Sequence, residues 1–580
     1  MNDLNLSEQE RSRRDSLKKL KDLGINPYPA ESYYTNITSK EILDSFDDDN
    51  PEKLDDLILA GRLMSRRIMG SASFAELQDE RGRIQLYFRR DDICPGDDKT
   101  MYNTVFKRLL DIGDIIGVKG YAFRTKMGEI SVHVTSFEIL SKAIRPLPVV
   151  KQKDGTKYDA FTDPDQRYRN RSLDLIVNPD VRKVFEKRTK MTNSMREFLN
   201  DKSFMEVETP VLQPLYGGAA AKPFKTHHNK LDQTLYLRIA NELYLKRLVV
   251  GGFDAVYEFA KDFRNEGMGR YHNPEFTQME LYVAYRDYLW MMDLVEEMVE
   301  KIAIDLHGDT KVKVGENLID FKRPWKRYTM FEAIEKFNGV DISKMDEKAL
   351  QETAHKLGVD IDKSMGKGKI IDEIFGETVE KKLIQPTFIM DYPVEMSPLA
   401  KKHRSTEGLV ERFEAVCNGK EICNAYTELN DPVDQRQRFE EQLLLAKRGD
   451  EEAMMLDEDF IKAIEIGMPP TAGLGIGVDR LAMIMTNSHS IQDVIFFPQM
   501  KQETKQQIDS SDNFMELGIP EEWVPVVQKA GFLTADTLKE QNPNKLHQLL
   551  CGMNKKHKLG LKNPSQEDVK SWVDKAGSVL

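Results

Sequence analysis

Five short strand-like runs lie between residues 55 and 142, in which apolar residues recur at alternate positions with local interruptions: DLILAGRLMS, SASFAELQD, RIQLYFR, GDIIGVKGYAFR and ISVHVTSFEIL. Successive side chains of an extended chain leave opposite faces, so this period predicts half-buried β-strands. Turn residues such as Glu80-Arg81-Gly82 and Met127-Gly128 separate the runs, and a helical stretch, Met101 to Leu110, stands between the third and fourth. Ahead of them, residues 7–25 predict a helix, because Ser7 and Glu10 match a capping box and Gly24 supplies the stop. Residues 180–200 predict a longer one, with Val181, Val184, Phe185, Met191, Met195, Phe198 and Leu199 at helical spacing.

These elements divide the chain. A helical extension (1–54) precedes a five-stranded barrel of the OB type (55–145), whose open face commonly binds single-stranded nucleic acid. A linker (146–175) that begins Pro146-Leu147-Pro148 leads into a long α+β domain (176–502) with a helical insertion near 330–380. Short helices punctuated by Pro520, Gly531, Pro543, Gly552 and Pro564 make an all-α extension (503–580). The expected fold class is α+β and multidomain.

Composition narrows the function classes. Hydrophobic residues at 40% and charged residues at 31% suit a soluble globular chain. The start carries no apolar signal core, and no stretch of 18 apolar residues follows, so neither secretion nor membrane spanning is expected. Cys94, Cys417, Cys423 and Cys551 form no C-x-x-C pair and fit a reducing cytoplasm. A net charge of −12 argues against a chain that coats nucleic acid non-specifically. The first helix, with Arg11, Arg13, Arg14, Lys18, Lys19 and Lys21, offers either a local RNA face or merely a solvated one.

Candidate chemistry lies in three blocks. In YEFAKDFRNEGMGRYHNPEFTQMELYVAY (257–285), strand parity puts Glu258, Asp262 and Arg264 on one face of the first half. Phe276, Gln278, Glu280 and Tyr282 share a face of the second. A half-exposed hairpin with solvated charges is the bland alternative. In RFEAVCNGKEICNAYTELND (412–431), Asn418-Gly419 between alternating runs signals a hairpin. Glu414 and Glu421 then become diagonal neighbours within reach of one cation, and oxygen-only ligands favour Mg²⁺. Asn424, Tyr426 and Glu428 face away from Glu421 in a regular strand, so a shared site requires a bulge between Glu421 and Asn424. In the third block (469–498), a glycine-rich strand, Gly473 to Gly477, runs into Asp479-Arg480 and an apolar helix. Glycines there admit a ligand or simply pack helix on strand.

Together the blocks resemble a family. F-M-E-V-E-T-P (204–210), D-F-R-N-E (262–266) and G-L-G-I-G-V-D-R (473–480) are similar to the three signature motifs of class II aminoacyl-tRNA synthetases, in order and spacing. The barrel points to the aspartyl, asparaginyl and lysyl subgroup. R-R-I-M-G-S-A-S-F, G-G-A-A-A-K-P-F, L-Y-L-K-R-L-V-V-G-G-F and P-T-A-G-L-G-I-G extend the resemblance to bacterial-type lysyl enzymes over about residues 8–500.

The resemblance implies an antiparallel-sheet catalytic domain, ATP as co-substrate, and attachment of L-lysine to tRNA(Lys) through lysyl-adenylate. It implies that Arg264 bridges the lysine carboxylate and α-phosphate, that Arg480 holds the γ-phosphate, and that Phe276 stacks on adenine. Glu266, His272 and Asn273 become further nucleotide contacts, and Glu414 and Glu421 the Mg²⁺ ligands. For lysine, Glu280, Tyr282 and Glu428 suit the ε-ammonium, which is costly to bury unpaired. Glu242 and the backbone near Gly217 take the α-amino group, and Asn424 and Tyr426 complete the pocket. On the barrel, Phe74 stacks on the central anticodon uridine, Gln85 and Glu138 contact its edge, and Arg62 lies nearby. A homodimer is also implied, because the first motif forms the subunit interface and the 181–199 stripe needs burial. The rival readings are an aspartyl- or asparaginyl-tRNA synthetase, a paralogue that lysylates a protein, and a non-catalytic RNA-binding relative.

The resemblance assigns no role to the last 75 or so residues. Pro520, Pro543 and Pro564 suit first-turn positions, the latter two behind Asn542 and Asn563 as caps. Helices joined by A-G-F (530–532) and N-K-K-H-K-L-G-L (554–561) look like a helix-hairpin-helix bundle that grips phosphates through Lys555, Lys556, His557 and Lys558. A small packing or partner-docking module is the alternative.

Overall fold

The computed structural model describes residues 6–148, 151–153, 156–158, 161–362, 365–447, 454–502, 509–557 and 559–578. The chain divides into two compact units, residues 1–160 with 501–580, and residues 161–500.

In the first unit, α1 (Glu8–Asp22) begins at Ser7, whose side chain and backbone exchange hydrogen bonds with Glu10 in a capping box. Leu20 of α1 joins the barrel core. Arg13 is buried and donates to the carbonyls of Ile112 (2.8 Å) and Ala143 (3.1 Å), so it fastens the helix and is withdrawn from any basic RNA face. The barrel strands are β1 (Leu57–Met69), β2 (Ala72–Gln78) and β3 (Arg83–Arg89), then β4 (Ile115–Arg124) and β5 (Ile130–Ser141) after helix α2 (Met101–Leu109). They close in the order β1-β2-β3-β5-β4. Tyr102, Val105 and Phe106 of α2 are fully buried in its core.

The second unit starts inside the stretch expected to be linker. Two short helices, Pro164–Arg169 and Arg171–Val177, form there, and the buried Arg171 donates to the carbonyls of Gln492 and Phe496. Helix α3 (Pro179–Asp201) carries the predicted apolar stripe, but Met191, Met195, Phe198 and Leu199 pack into this unit's own core. The stripe therefore needs no second subunit to bury it.

The elements that position the site are one eight-stranded sheet and the helices packed on it. They are β6 (Met205–Glu206), α4 (Glu242–Val250), β7 (Ala255–Phe263), β8 (Glu275–Ala284), α5 (Tyr288–His307), β9 (Lys326–Thr329), α6 (Lys367–Thr378) in the helical insertion, β10 (Thr387–Pro393), β11 (Leu409–Cys417), β12 (Lys420–Thr427), β13 (Thr471–Gly477) and α7 (Val478–Met485). The strand order is β9-β10-β11-β12-β13-β8-β7-β6, antiparallel except at its two edges. Alternation along β8 buries Met279 and Leu281 in the core shared with α5 and leaves Gln278, Glu280 and Tyr282 on the opposite face.

The β11–β12 hairpin turns through Asn418 and Gly419, both at positive φ (53° and 72°), as a two-residue turn requires. Val416 pairs with Glu421 and Ala415 with Cys423, which leaves Ile422 as the extra residue of a bulge. That bulge, expected from parity, turns Asn424 and Tyr426 onto the face of Glu421.

In residues 509–578, α8 (Pro543–His557) and α9 (Gln566–Ser578) pack over Trp523, Val527, Leu546, Leu550 and Trp572. Asn542 caps α8 by accepting from the backbone of Asn544 and Lys545. At α9 the cap is Ser565, which accepts from the Asp568 backbone; Asn563 instead accepts from the Asn554 side chain, so Pro564 stands outside the helix.

Candidate functional site

The polar face of β8, β12 and β13 floors a cavity of about 1440 Å³, walled by α6, α7 and the loop between β7 and β8. Glycines make the floor possible. A Cβ on Gly473 would fall 1.9 Å from the Glu428 carboxylate and 2.5 Å from the Tyr282 ring, and one on Gly475 would fall 2.7 Å from the Gln278 amide. The alternating glycines of β13 therefore accommodate the large polar side chains of both neighbouring strands.

At one end the cavity is cationic. The Arg264 guanidinium lies 5.1 Å from the Phe276 ring centroid, and its buried Nε finds no acceptor among the described residues. Arg480, in the first turn of α7, donates to Glu421 (3.0 Å) and lies 3.2 Å from His272 Nε2. Burial, then Arg480, hold the His272 imidazole below its usual pKa. Arg412 donates to Glu414 (2.6 Å) and Asn424 (3.1 Å). Burial, then repulsion from Glu421, push Glu414 up to about 7, so this carboxylate pair calls for a cation or a proton. Glu266 closes a tight turn onto the Arg264 carbonyl, and the Asn273 amide donates to the Glu275 carbonyl, which shapes the loop.

The other end is acidic and closed. Glu280 accepts from Gln278 (2.9 Å) and from the Tyr282 hydroxyl (3.1 Å), and Glu242 accepts from the Tyr426 hydroxyl (2.8 Å). Burial, with Asp262 and Glu242 nearby, raises the Glu280 carboxyl well above its usual range. Asp262, between Arg238 and Arg264, is pushed up to about 7 by burial.

Profiles of known families match three stretches: tRNA synthetases class II (D, K and N) over residues 163–501, an OB-fold nucleic acid binding domain over 57–140, and a domain of unknown function over 501–579. The chain belongs to the class II tRNA synthetases. The lysine–tRNA ligase of Porphyromonas gingivalis is 61% identical over 99% of both chains. That of Christiangramia forsetii is 58% identical over 86% of this chain and 87% of its own, and that of Azobacteroides pseudotrichonymphae 57% identical over 86% of this chain and 99% of its own.

Not every expected residue faces the synthetase cavity. Glu428 is not among the lining residues; it is buried and ion-paired with Lys246 of α4, which also donates to Glu242 (2.5 Å). Gly218, at φ +86°, lines the cavity in place of Gly217, which backs onto Leu243. Sequence reasoning missed Arg412 and Lys246. Arg412 lies two residues from Glu414 on one strand face, a legible signal, whereas Lys246 reads as an ordinary exposed helical lysine.

On the barrel of the synthetase, Phe74, Tyr87, His133 and Tyr121 stand in register across β2, β3, β5 and β4. All four are half-buried, with Phe74 and Tyr87 centroids 5.1 Å apart and His133 and Tyr121 4.7 Å apart. Gln85 donates to Glu129 (2.8 Å), Arg62 donates to the Gly113 carbonyl (2.6 Å), and Glu138 is exposed on β5. Three members of the aromatic row escaped sequence reasoning because only strand pairing aligns them. Among the described residues no helix is long and apolar enough to cross a membrane, and no cluster of three or more His, Cys, Asp or Glu side chains could hold a metal.

Proposed function

We propose that the chain activates L-lysine with ATP and joins it to tRNA(Lys). The observation that carries this reading is the closed acidic end, where Glu242 and Glu280, each held by a tyrosine hydroxyl, lie beyond Arg264. Buried carboxylates pair with an ammonium; they repel the side chain of aspartate, and the neutral amide of asparagine would leave them without a counter-charge, which disfavours the aspartyl and asparaginyl readings. The lysine carboxylate forms a bond to the α-phosphorus while the bond to the pyrophosphate oxygen breaks. The terminal ribose hydroxyl of the tRNA then attacks the adenylate carbonyl, losing its proton as AMP leaves.

Such chemistry asks the protein for positioning and neutralisation of charge. Arg264 spans carboxylate and α-phosphate, Phe276 stacks on adenine, and Arg480 holds the γ-phosphate. Glu266, His272 and Asn273 frame the nucleotide, and Asn424 and Tyr426 line the lysine channel. Two carboxylates with space for phosphate and water oxygens suit Mg²⁺, so Glu414 and Glu421 would hold that ion, which neutralises phosphate charge when bound. Lysine-dependent ATP–pyrophosphate exchange, absent with aspartate or asparagine, tests the reading; no exchange with lysine overturns it.

The aromatic row reads the anticodon by stacking, worth roughly 1–3 kcal/mol per base. Phe74→Ala should therefore weaken tRNA charging by about tenfold or more while sparing lysine–ATP exchange. Equal loss of both activities would make Phe74 a packing residue. The protein works in a reducing cytoplasm, consistent with its free cysteines. It acts as a homodimer through the segment after α3, where Met205, Val211 and Leu212 are 51%, 39% and 48% exposed. Light scattering should give twice the chain mass of 66.8 kDa, and a monomer at micromolar concentration would contradict it.

A further inference from the structure

The extension at residues 509–578 segregates its charge along the chain. Residues 509–540 hold seven acids and two lysines, whereas residues 541–566 hold five lysines and no acid. Lys545, Lys555, Lys556 and Lys562 are all exposed, and none is ion-paired to an acid among the described residues; Lys558 lies outside them. The helix dipole accounts for basic residues in the last turn of α8. It accounts neither for Lys562 beyond the helix nor for the missing acids.

The loop between α8 and α9 is braced from beneath. The buried Asn554 amide donates to the Leu561 carbonyl (2.7 Å) and to Asn563 (2.7 Å), and its oxygen accepts from the Leu561 backbone. The Trp523 indole donates to the Lys562 carbonyl (3.2 Å), and His547 Nε2 lies 3.0 Å from the Pro564 carbonyl. Gly560, at φ +72°, makes the reversal that an L side chain would strain. A backbone so held presents Lys562, beside Lys555 and Lys556 in the last turn of α8, with little ordering left to do on binding.

We infer that this surface binds the phosphodiester backbone of tRNA, adding affinity without sequence readout. The inference rests on the reading that the chain charges tRNA. Lysines that contact phosphates release counterions, and each contact steepens the salt dependence of binding by roughly 0.7–0.9 in log–log slope.

The full chain should be compared with a full-chain variant carrying Lys555→Glu, Lys556→Glu and Lys562→Glu, and with a chain ending at residue 502. Both variants should keep lysine-dependent exchange. Between 50 and 200 mM salt, the KM for tRNA of the triple variant should change about 20–40-fold less than that of the parent. The shortened chain should match it. Unchanged KM and slope in both variants would overturn the inference and leave a protein-docking module. Duplex DNA should compete with tRNA for this surface, because phosphates and not bases are contacted; failure of duplex DNA to compete would overturn the backbone reading. Absence of exchange in the unaltered chain would instead sink the catalytic reading.

Discussion

Arg264→Ala should lower kcat for lysine-dependent ATP–pyrophosphate exchange by on the order of 10³-fold, about 4 kcal/mol of transition-state stabilisation. Arg264 is the cation placed between the nucleotide end and the acidic end of the cavity, and its buried Nε awaits an acceptor. Charge grows on the phosphorus oxygens as lysine attacks, so the contact strengthens beyond the ground state. Arg264→Lys keeps the charge but loses the planar fork, and should recover only part of the rate. Steady-state exchange decides the matter: a rise in KM with unchanged kcat would mean that Arg264 merely holds substrate. Thermal melting should move little, because this side chain lies along the cavity wall.

Lys246→Met should act on substrate affinity instead. Lys246 is fully buried with its ammonium between Glu242 and Glu428, against the rings of Tyr282 (5.9 Å) and Tyr426 (5.6 Å). It is a resident cation in a box built for ammonium groups. Burial raises the Glu428 carboxyl well above its usual range while Lys246 opposes that rise. Without the lysine, the charged and titratable groups left facing one another are Glu242, Glu280, Glu428, Tyr282 and Tyr426, and protons compete with substrate for them.

The sign follows directly. A carboxyl whose pKa rises above the assay pH is neutral, and lysine must displace its proton to pair with it. The KM for lysine in the variant should therefore be raised about 10–100-fold near neutrality, with kcat retained. It should fall by up to about tenfold per pH unit as pH rises. A pH-independent KM would show that Lys246 only packs. Breaking the buried pair also costs roughly 3–5 kcal/mol of stability, which Glu428→Gln in the same background should partly restore.

Much of this was legible in the residues because it is local. Period-two alternation sorted Phe276, Gln278, Glu280 and Tyr282 from Met279 and Leu281, since parity along one strand needs no knowledge of its neighbours. Asn418-Gly419 specified the hairpin turn through its demand for positive φ, and the conflict of parity between Glu421 and Asn424 implied the bulge at Ile422. Ser7 and Glu10 marked the start of α1 through bonds spanning three residues.

Only the tertiary structure could decide what depends on partners distant in sequence. Arg13 is withdrawn from solvent by carbonyls 99 and 130 residues away. The stripe on α3 is covered by the chain's own core, which helical spacing alone cannot distinguish from cover by a second subunit. Tyr87, His133 and Tyr121 join Phe74 through cross-strand register, and Glu428 leaves the cavity wall because Lys246, on a helix far back in the chain, claims its carboxylate. A pattern in the sequence sets which way a side chain points, but charge compensation and burial are settled by whatever the fold brings opposite it.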